Sequence, residues 1–191
     1  MKTAGTFSIK AGQNVGGVEA PVKHLDDVVE TCLAAKEQSG ATFVHLNGGF
    51  EGGHGLENIE PYVRAIKSQV GMLVGVQLTP ERRFTGYDRL IELGVDHFSF
   101  CVELMDPEWF AQICPGKART LGQDLFFVAM EYCAARMPRG AVSGELIAGI
   151  EPIQNTIAGI ERTAIARIAV NTPLRTVRCV LFDLFFETEA L

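Results

Sequence analysis

Apolar residues along this chain follow two alternating patterns, a helical spacing and short runs with few charges. The first helical stripe has apolar residues at i, i+3, i+4, i+7 and i+8, and Gly40 follows it as a residue that ends a helix. Residues 42–46 then form a β-rich run that is typical of a buried parallel strand. The stripe consists of Leu25, Val28, Val29, Cys32 and Leu33.

The same alternation continues to residue 101. Residues 72–78 and 97–101 are predicted strands, and each follows an amphipathic helix that ends at a glycine, Gly71 or Gly94. Three helix–strand pairs therefore occur in succession. The apolar stripes of these two helices are Ile59, Tyr62, Val63 and Ile66, and then Tyr87, Leu90 and Ile91.

Longer helical segments separate the remaining strands. Asp106 is predicted to cap a short helix with Pro107 at its first position, where a missing N–H costs nothing. Residues 142–148 and 177–186 are further predicted strands, and Pro152 opens the helix between them. The helix before 142–148 has an apolar side of Leu121, Leu125, Val128, Ala129, Tyr132 and Cys133, and the helix after it has the stripe Ile153, Ile157, Ile160 and Ala164.

Strands separated by helices predict an α/β fold with a parallel sheet and right-handed crossovers. Two architectures fit this order, a barrel or partial barrel and an open doubly wound sheet, and both bind ligands at the carboxyl ends of the strands. The 191 residues contain no internal repeat or low-complexity segment and suit one domain with its own core. We therefore expect a functional site at the strand ends.

Composition and charge exclude several classes of function. The net charge is −6 without a Lys/Arg-rich block, so nucleic acid is not expected as a partner, because phosphate binding needs clustered positive charge. No apolar run reaches the roughly 18 residues of a membrane span, and no signal peptide is recognised. The five cysteines are odd in number and lie mostly in apolar patterns, which indicates free thiols in a reducing, cytoplasmic compartment.

One predicted strand ends in Asn47-Gly48-Gly49, where two glycines let the backbone turn sharply beside a ligand. A tight turn between strand and helix is the alternative interpretation. The glycines that follow do not complete a dinucleotide-binding fingerprint, because Asn58 stands at its third glycine position. Lys117 has no upstream glycine for a phosphate-binding P-loop, and no GxSxG motif supports hydrolase chemistry.

Polar residues end or interrupt the other predicted strands. Gln77 and Glu103 stand at strand ends, while Ser143 and Glu145 share one face of a strand because its side chains alternate. A carboxylate within an apolar strand is costly unless it is paired or faces a wet cavity. Glu145 is therefore expected to face a cavity, and Glu103 either does the same or caps the next turn.

His45 and His97 lie within strand patterns, and two interpretations are open for them. They are packed core residues, or they join a glutamate in a metal site of a metal-dependent barrel enzyme, since residues on neighbouring strands converge. The sequence contains no HxH or HExxH spacing, which favours the first interpretation.

The order of these segments resembles the core of radical S-adenosylmethionine (SAM) proteins. The resemblance covers roughly residues 10 to 168, and the order and spacing of its segments are more specific than any one of them. It implies a partial (β/α) barrel over residues 1–170, incomplete at both ends, and a divergent tail at 171–191 that forms at most a last strand. The segments are 42–49 (TFVHLNGG), 75–78 (GVQL), 96–101 (DHFSFC), 114–117 (CPGK) and 144–152 (GELIAGIEP).

The resemblance also implies a cofactor and its contacts. SAM would lie across the strand ends with its methionine amino group at Asn47, Gly48 and Gly49. Phe50 stands where the family has an acidic residue. The other implied contacts are Gly149, Ile150 and Glu151 for the adenine and ribose, and Gln77, Glu103, Ser143 and Glu145 along the cavity.

In that family, a CxxxCxxC motif after the first strand holds a [4Fe–4S] cluster that reduces SAM to a 5′-deoxyadenosyl radical. No CxxxCxxC occurs in this sequence, residues 6–9 contain no cysteine where the motif should end, and the family's first strand is not recognised. We therefore expect a radical-SAM-like domain that is not competent alone, with an unidentified small-molecule substrate. The alternative is a non-catalytic small-molecule-binding or scaffold module, and in both cases a partner chain or oligomer would cover open sheet edges.

Overall fold

The computed structural model describes residues 7–9, 23–165, 169–170 and 179–184, with side-chain surroundings over 23–163. The chain forms two compact units. No helix in the described residues is long and apolar enough to cross a membrane. Unit 1 consists of Met1–Leu78, Thr85–Asp96 and Leu174–Leu191, and unit 2 consists of Thr79–Phe84 and His97–Pro173.

The described strands of unit 1 are all parallel. The last strand in sequence pairs with both the first and the second, and the second pairs with the third. The last strand lies within the predicted run 177–186, whereas the short first strand was not predicted. The strands are β1 (Phe7–Ile9), β2 (Phe43–Gly48), β3 (Leu73–Gln77) and β7 (Cys179–Leu184), in the order β1-β7-β2-β3.

The helices of unit 1 begin and end near the predicted positions. Gly40 and Gly71 follow helical segments at φ of 64° and 68°, a left-handed conformation that glycine adopts without steric cost. The second helix continues into one π-helical turn, Ile66–Val70. The helices are α1 (Leu25–Ser39), α2 (Gly55–Ala65) and α3 (Thr85–Glu92).

The three described strands of unit 2 are parallel and lie side by side in the order in which they occur in the sequence. The predicted cap is confirmed, because Asp106 Oδ1 accepts hydrogen bonds from the backbone N–H groups of Glu108 (2.8 Å) and Trp109 (3.1 Å). The elements are β4 (His97–Glu103), α4 (Pro107–Ile113), α5 (Pro115–Thr120), α6 (Gln123–Ala134), β5 (Val142–Leu146), α7 (Ile153–Ile165) and β6 (Ala169–Val170).

The buried face of α6 differs from the predicted one. Val128 is exposed, while Phe126, Phe127 and Met130 are buried. Val128 lies on the same side of the helix as the exposed residues Asp124 and Glu131, four positions after one and three before the other, so it belongs to the polar side. A Cβ at Gly144 on β5 would lie 3.2 Å from Met130 Sδ, so the missing side chain lets α6 approach the strand closely.

The orientation of α7 is also unexpected. Thr156, Gly159 and Thr163 form its buried face, so small and hydroxyl-bearing residues pack against unit 2. A Cβ at Gly159 would collide with the Met105 side chain and lie 2.9 Å from Leu146 Cδ1. The stripe Ile153, Ile157 and Ile160, whose spacing is typical of a buried face, is exposed.

The predicted fold class is confirmed as α/β with parallel strands separated by helices. The alternation of helical stripes and uncharged runs was sufficient for this prediction. A helical stripe indicates a helix that is buried on one face, and an uncharged run indicates a strand that is buried on both faces. The division of the chain into residues 1–170 and 171–191 stays a prediction.

Candidate functional site

One face of the β4–β5 pair in unit 2 is polar. His97, Ser99, Cys101 and Glu103 alternate along β4, so their side chains lie on one face. The residues between them, Phe98, Phe100 and Val102, are buried on the opposite face. The ladder places Ser99 beside Ser143 and Cys101 beside Glu145, so the two strands contribute to the same polar row.

Hydrogen bonds connect this row and hold the Glu145 carboxylate. The Ser143 hydroxyl donates to Ser99 Oγ at 3.2 Å, and the Ser99 hydroxyl donates to Glu145 Oε1 at 2.9 Å. The Cys101 thiol donates to Glu145 Oε2 at 3.2 Å. Both oxygens of this half-buried carboxylate therefore have a donor, which offsets the cost of placing it in a strand.

The surroundings fix the protonation of the neighbouring groups. Burial raises the pKa of the Cys101 thiol, and the charge and hydrogen bond of Glu145 raise it further. Burial lowers the pKa of His97, while the charge of Glu145 acts in the opposite direction. At pH 7 the row therefore contains a protonated thiol and a neutral imidazole beside Glu145.

The carboxyl end of β4 carries an ion pair on an unusual backbone. Glu103 has a φ of 70°, and the register of the ladder shifts between Cys101 and Glu103. Lys117 Nζ lies 2.5 Å from Glu103 Oε1, donates to the Cys101 carbonyl at 3.2 Å, and lies 5.6 Å from the centroid of the Phe126 ring. Lys117 therefore connects α5 to the end of β4. Its side chain belongs to this cluster, although Lys117 was not among the predicted site residues.

Glu151 anchors the loop that follows β4. It is 4% exposed, and its carboxylate accepts hydrogen bonds from Met105 N (3.0 Å), Asp106 N (2.8 Å) and the Thr156 hydroxyl (3.3 Å). Gly149, two residues earlier, has a φ of 94°, and Ile150 between them is exposed. Contact of these residues with adenine and ribose stays a prediction.

In unit 1, the structure brings two of the predicted residues together. Asn47 and Gln77 are partners in the β2–β3 ladder, each next to or at the carboxyl end of its strand. Asn47 Oδ1 is buried and has no hydrogen-bond partner among the described residues. Gly48 ends β2 and Gly49 begins the loop that leads to α2. An amide acceptor beside a partly exposed glycine backbone is thus available at this end of the sheet.

Glu51 is a carboxylate at the same strand end that the sequence analysis did not select. Phe50 occupies the position at which the radical SAM family has an acidic residue. Phe50 is exposed, whereas the next residue, Glu51, is buried. Asn58 Nδ2 donates to Glu51 Oε2 at 2.6 Å, and the charge of Glu51 adds to burial in raising the pKa of Tyr62. Glu51 lies in the loop before α2, so no helical spacing relates it to Asn58, and the sequence pattern carries no signal for this contact.

His45 is packed within the β2–β3 pair. Its ring stacks on Phe43 with the centroids 5.8 Å apart, and its ladder partner is Gly75. A Cβ at Gly75 would collide with both rings, so the glycine gives them room across β3. His45 is half-buried in this packing, and its interpretation as a core residue stays a prediction.

The described cysteines do not provide an iron–sulfur site. No group of three or more His, Cys, Asp or Glu residues in the described part of the chain is placed to hold a metal ion. Burial raises the pKa of the Cys32 thiol to about 12, and burial followed by the charge of Glu103 raises the pKa of Cys114. No three of the described cysteines lie together in one group, so they do not fit the thiolate ligand set of a [4Fe–4S] cluster. Among the described residues, no third ligand is placed with His45 and His97 to form a metal site.

Neither the known family models nor the curated proteins contain a match to this chain. Among solved structures, the FeFe-hydrogenase maturase HydG from Carboxydothermus hydrogenoformans is similar over 85% of this chain, with a TM-score of 0.66 and 20% sequence identity. The similar region is 37% of the HydG chain. HydG is a radical SAM enzyme, and a similarity at this identity shows a shared fold. This chain therefore shares the fold of the corresponding part of HydG.

Proposed function

We propose that this chain is a radical-SAM-like domain that binds SAM at the carboxyl ends of its parallel strands and does not start radical chemistry alone. The observation that carries the proposal is the fold shared with HydG, a radical SAM enzyme. Polar side chains at the strand ends support it, because ligands of open and barrel α/β folds bind there.

In unit 1, the groups near the end of β2 suit the ammonium group of an amino acid. Asn47 Oδ1 is a buried acceptor, and Gln77 lies beside it in the ladder. Glu51 places a carboxylate in the loop that follows Gly48 and Gly49. An ammonium donates three hydrogen bonds and prefers charged or amide oxygens.

In unit 2, the polar row suits hydroxyl groups such as those of a ribose. Glu145 and Glu103 are both half-buried carboxylates, and Ser143 completes the row. Ile150 is an exposed apolar side chain beside Gly149, a pairing that suits the face of a purine. When bound, SAM would supply the source of an adenosyl radical, but only beside a reduced cluster.

The missing cluster ligands limit the proposal to binding. The sequence lacks CxxxCxxC, and the described part of the chain holds no group of three or more His, Cys, Asp or Glu residues placed to bind a metal ion. A non-catalytic binding module on the same fold is therefore the second candidate, and it shares the binding step with the first.

Calorimetric titration of the chain with SAM tests binding. We expect saturable heat at one site per chain, and a loss of affinity in Asn47→Ala, because the buried acceptor is removed. Gln38→Ala, an exposed amide on α1, is the control that should bind like the parent. If SAM gives no heat at any concentration tested, the binding proposal is wrong.

Anaerobic reconstitution with iron and sulfide tests the second half of the proposal. We expect no stoichiometric cluster and no 5′-deoxyadenosine after addition of SAM and a reductant. Formation of both would show that the chain is competent alone. Binding of SAM without either result agrees with both candidates, because they share the binding step.

A further inference from the structure

The exposed side of α7 is an apolar seam. Ile153, Ile157 and Ile160 are 53, 48 and 39% exposed, although isoleucine is among the residues most often buried. We call these three side chains the isoleucine seam. Their spacing of four and then three residues places them along one line of the helix, and Ala164 continues the same spacing in the sequence.

The seam cannot turn inward, because the adjoining face of α7, about a quarter of a turn away, is already buried. Thr156 and Thr163 are 4 and 1% exposed, and Gly159 between them leaves no room for a side chain against Met105 and Leu146. The Thr163 hydroxyl donates to the Gly159 carbonyl at 3.0 Å, so its polar group is satisfied within the helix. The helix is therefore fixed with the isoleucine seam exposed beside the face that packs in unit 2.

The spacing of four and then three residues between the isoleucines is that of the apolar positions of a two-helix coiled coil. A helix with such a seam packs best on another helix with the same spacing, because each apolar side chain fits between side chains of the partner. The residues that flank the seam on its exposed side are Gln154 and Glu161. In an antiparallel pair of identical helices, Gln154 of one copy lies opposite Glu161 of the other, so that an amide donor meets a carboxylate twice. A parallel pair lacks this match.

We propose that two copies of this chain associate through the isoleucine seam, with their α7 helices antiparallel about a two-fold axis near residues 157 and 158. The interface is isologous, so the seam of each copy covers the seam of the other. This association involves none of the residues proposed to bind SAM.

Sedimentation velocity over a range of concentrations tests the association. We expect the parent chain to sediment as a dimer at high concentration and Ile157→Lys to weaken dimerisation by about tenfold or more, because the lysine would be buried in an apolar contact. Ile113→Lys is the matched control: Ile113, at the end of α4, is also 48% exposed but lies outside the seam. It should dimerise like the parent. A monomeric parent, or equal effects of the two variants, would overturn the proposal.

Cross-linking tests the antiparallel register. The double variant Gln154→Cys, Glu161→Cys should form covalent dimers on mild oxidation, because the two positions meet across the axis. Either single variant should form no more covalent dimer than the parent. In a dimer of a single variant, the two introduced cysteines are about 10 Å apart along the helix axis, at 1.5 Å per residue. Covalent dimers from a single variant, or none from the double variant, would contradict this register.

Discussion

Lys117 Nζ lies 2.5 Å from Glu103 Oε1, and it holds a residue whose backbone has a φ of 70°. Among the described residues, Glu103 is the non-glycine residue found at positive φ. A left-handed conformation costs a residue with a Cβ of order 1 kcal/mol, so the surrounding contacts must maintain it. The ion pair and the hydrogen bond from Lys117 to the Cys101 carbonyl provide two such contacts.

Replacing Lys117 tests how far this contact stabilises the end of β4. Lys117→Met keeps the aliphatic stem near Phe126 but removes the charge, and we expect the free energy of unfolding to fall by up to about 1 kcal/mol, since both side chains are partly exposed. Urea denaturation measures the change, and the difference should shrink at high salt. Arg119→Met, an exposed neighbour on α5, is the control and should leave stability unchanged.

The reactivity of Cys101 should depend on Glu145. Burial is the main cause of the raised pKa of the thiol, and the carboxylate adds to it through its charge and its hydrogen bond. Glu145→Gln removes the charge, so the pKa of Cys101 should fall, and alkylation at pH 8 should become faster while staying slower than that of a free thiol. Mass spectrometry of the same digest offers Cys114 as an internal control, because Glu145 does not contribute to its pKa. An unchanged alkylation rate at Cys101 would show that Glu145 does not raise the pKa of this thiol.

His97 should make the fold less stable in mild acid. Burial lowers its pKa below the ordinary value of about 6.5, so the unfolded chain binds a proton at this residue more readily than the folded chain does. Stability from the neutral imidazole is thus present above pH 6.5 and is lost as the pH falls toward the folded pKa. The difference in unfolding free energy between pH 7.5 and 5 should be smaller in His97→Gln than in the parent.

His24 provides the control for this measurement, because it is exposed. His24→Gln should keep the pH dependence of the parent chain. Equal pH dependence in the parent and in His97→Gln would show that another group is responsible.

A methyl group at Gly159 should disturb the packing of α7. Its Cβ would collide with Met105 and approach Leu146, and we expect Gly159→Ala to lower the free energy of unfolding by about 1–3 kcal/mol in spite of the better helix propensity of alanine. Gly116→Ala in α5 is a matched control, since no atom lies within 4 Å of the added Cβ. That variant should be neutral or slightly stabilising. Similar effects of the two changes would mean that α7 does not pack as closely as described.

Local rules were sufficient for much of the fold. The cap at Asp106 and the helix ends at Gly40 and Gly71 depend on groups a few residues apart, so the residue types alone predict them. The parallel strands follow from runs with few charges, which indicate burial on both faces. The absence of CxxxCxxC is also a property of the sequence, and no folding can supply those ligands.

Other features depend on which distant segments meet. Glu145 was recognisable as a costly carboxylate, but its donors lie 46 and 44 residues away, and the strand register determines that they are Ser99 and Cys101. The isoleucine seam has the spacing of a buried face, yet the fit of Gly159 against Met105 and Leu146 turned it outward. Periodicity identifies an apolar face of a helix, but close packing decides which face is buried, because the closest approach is possible only where side chains are small.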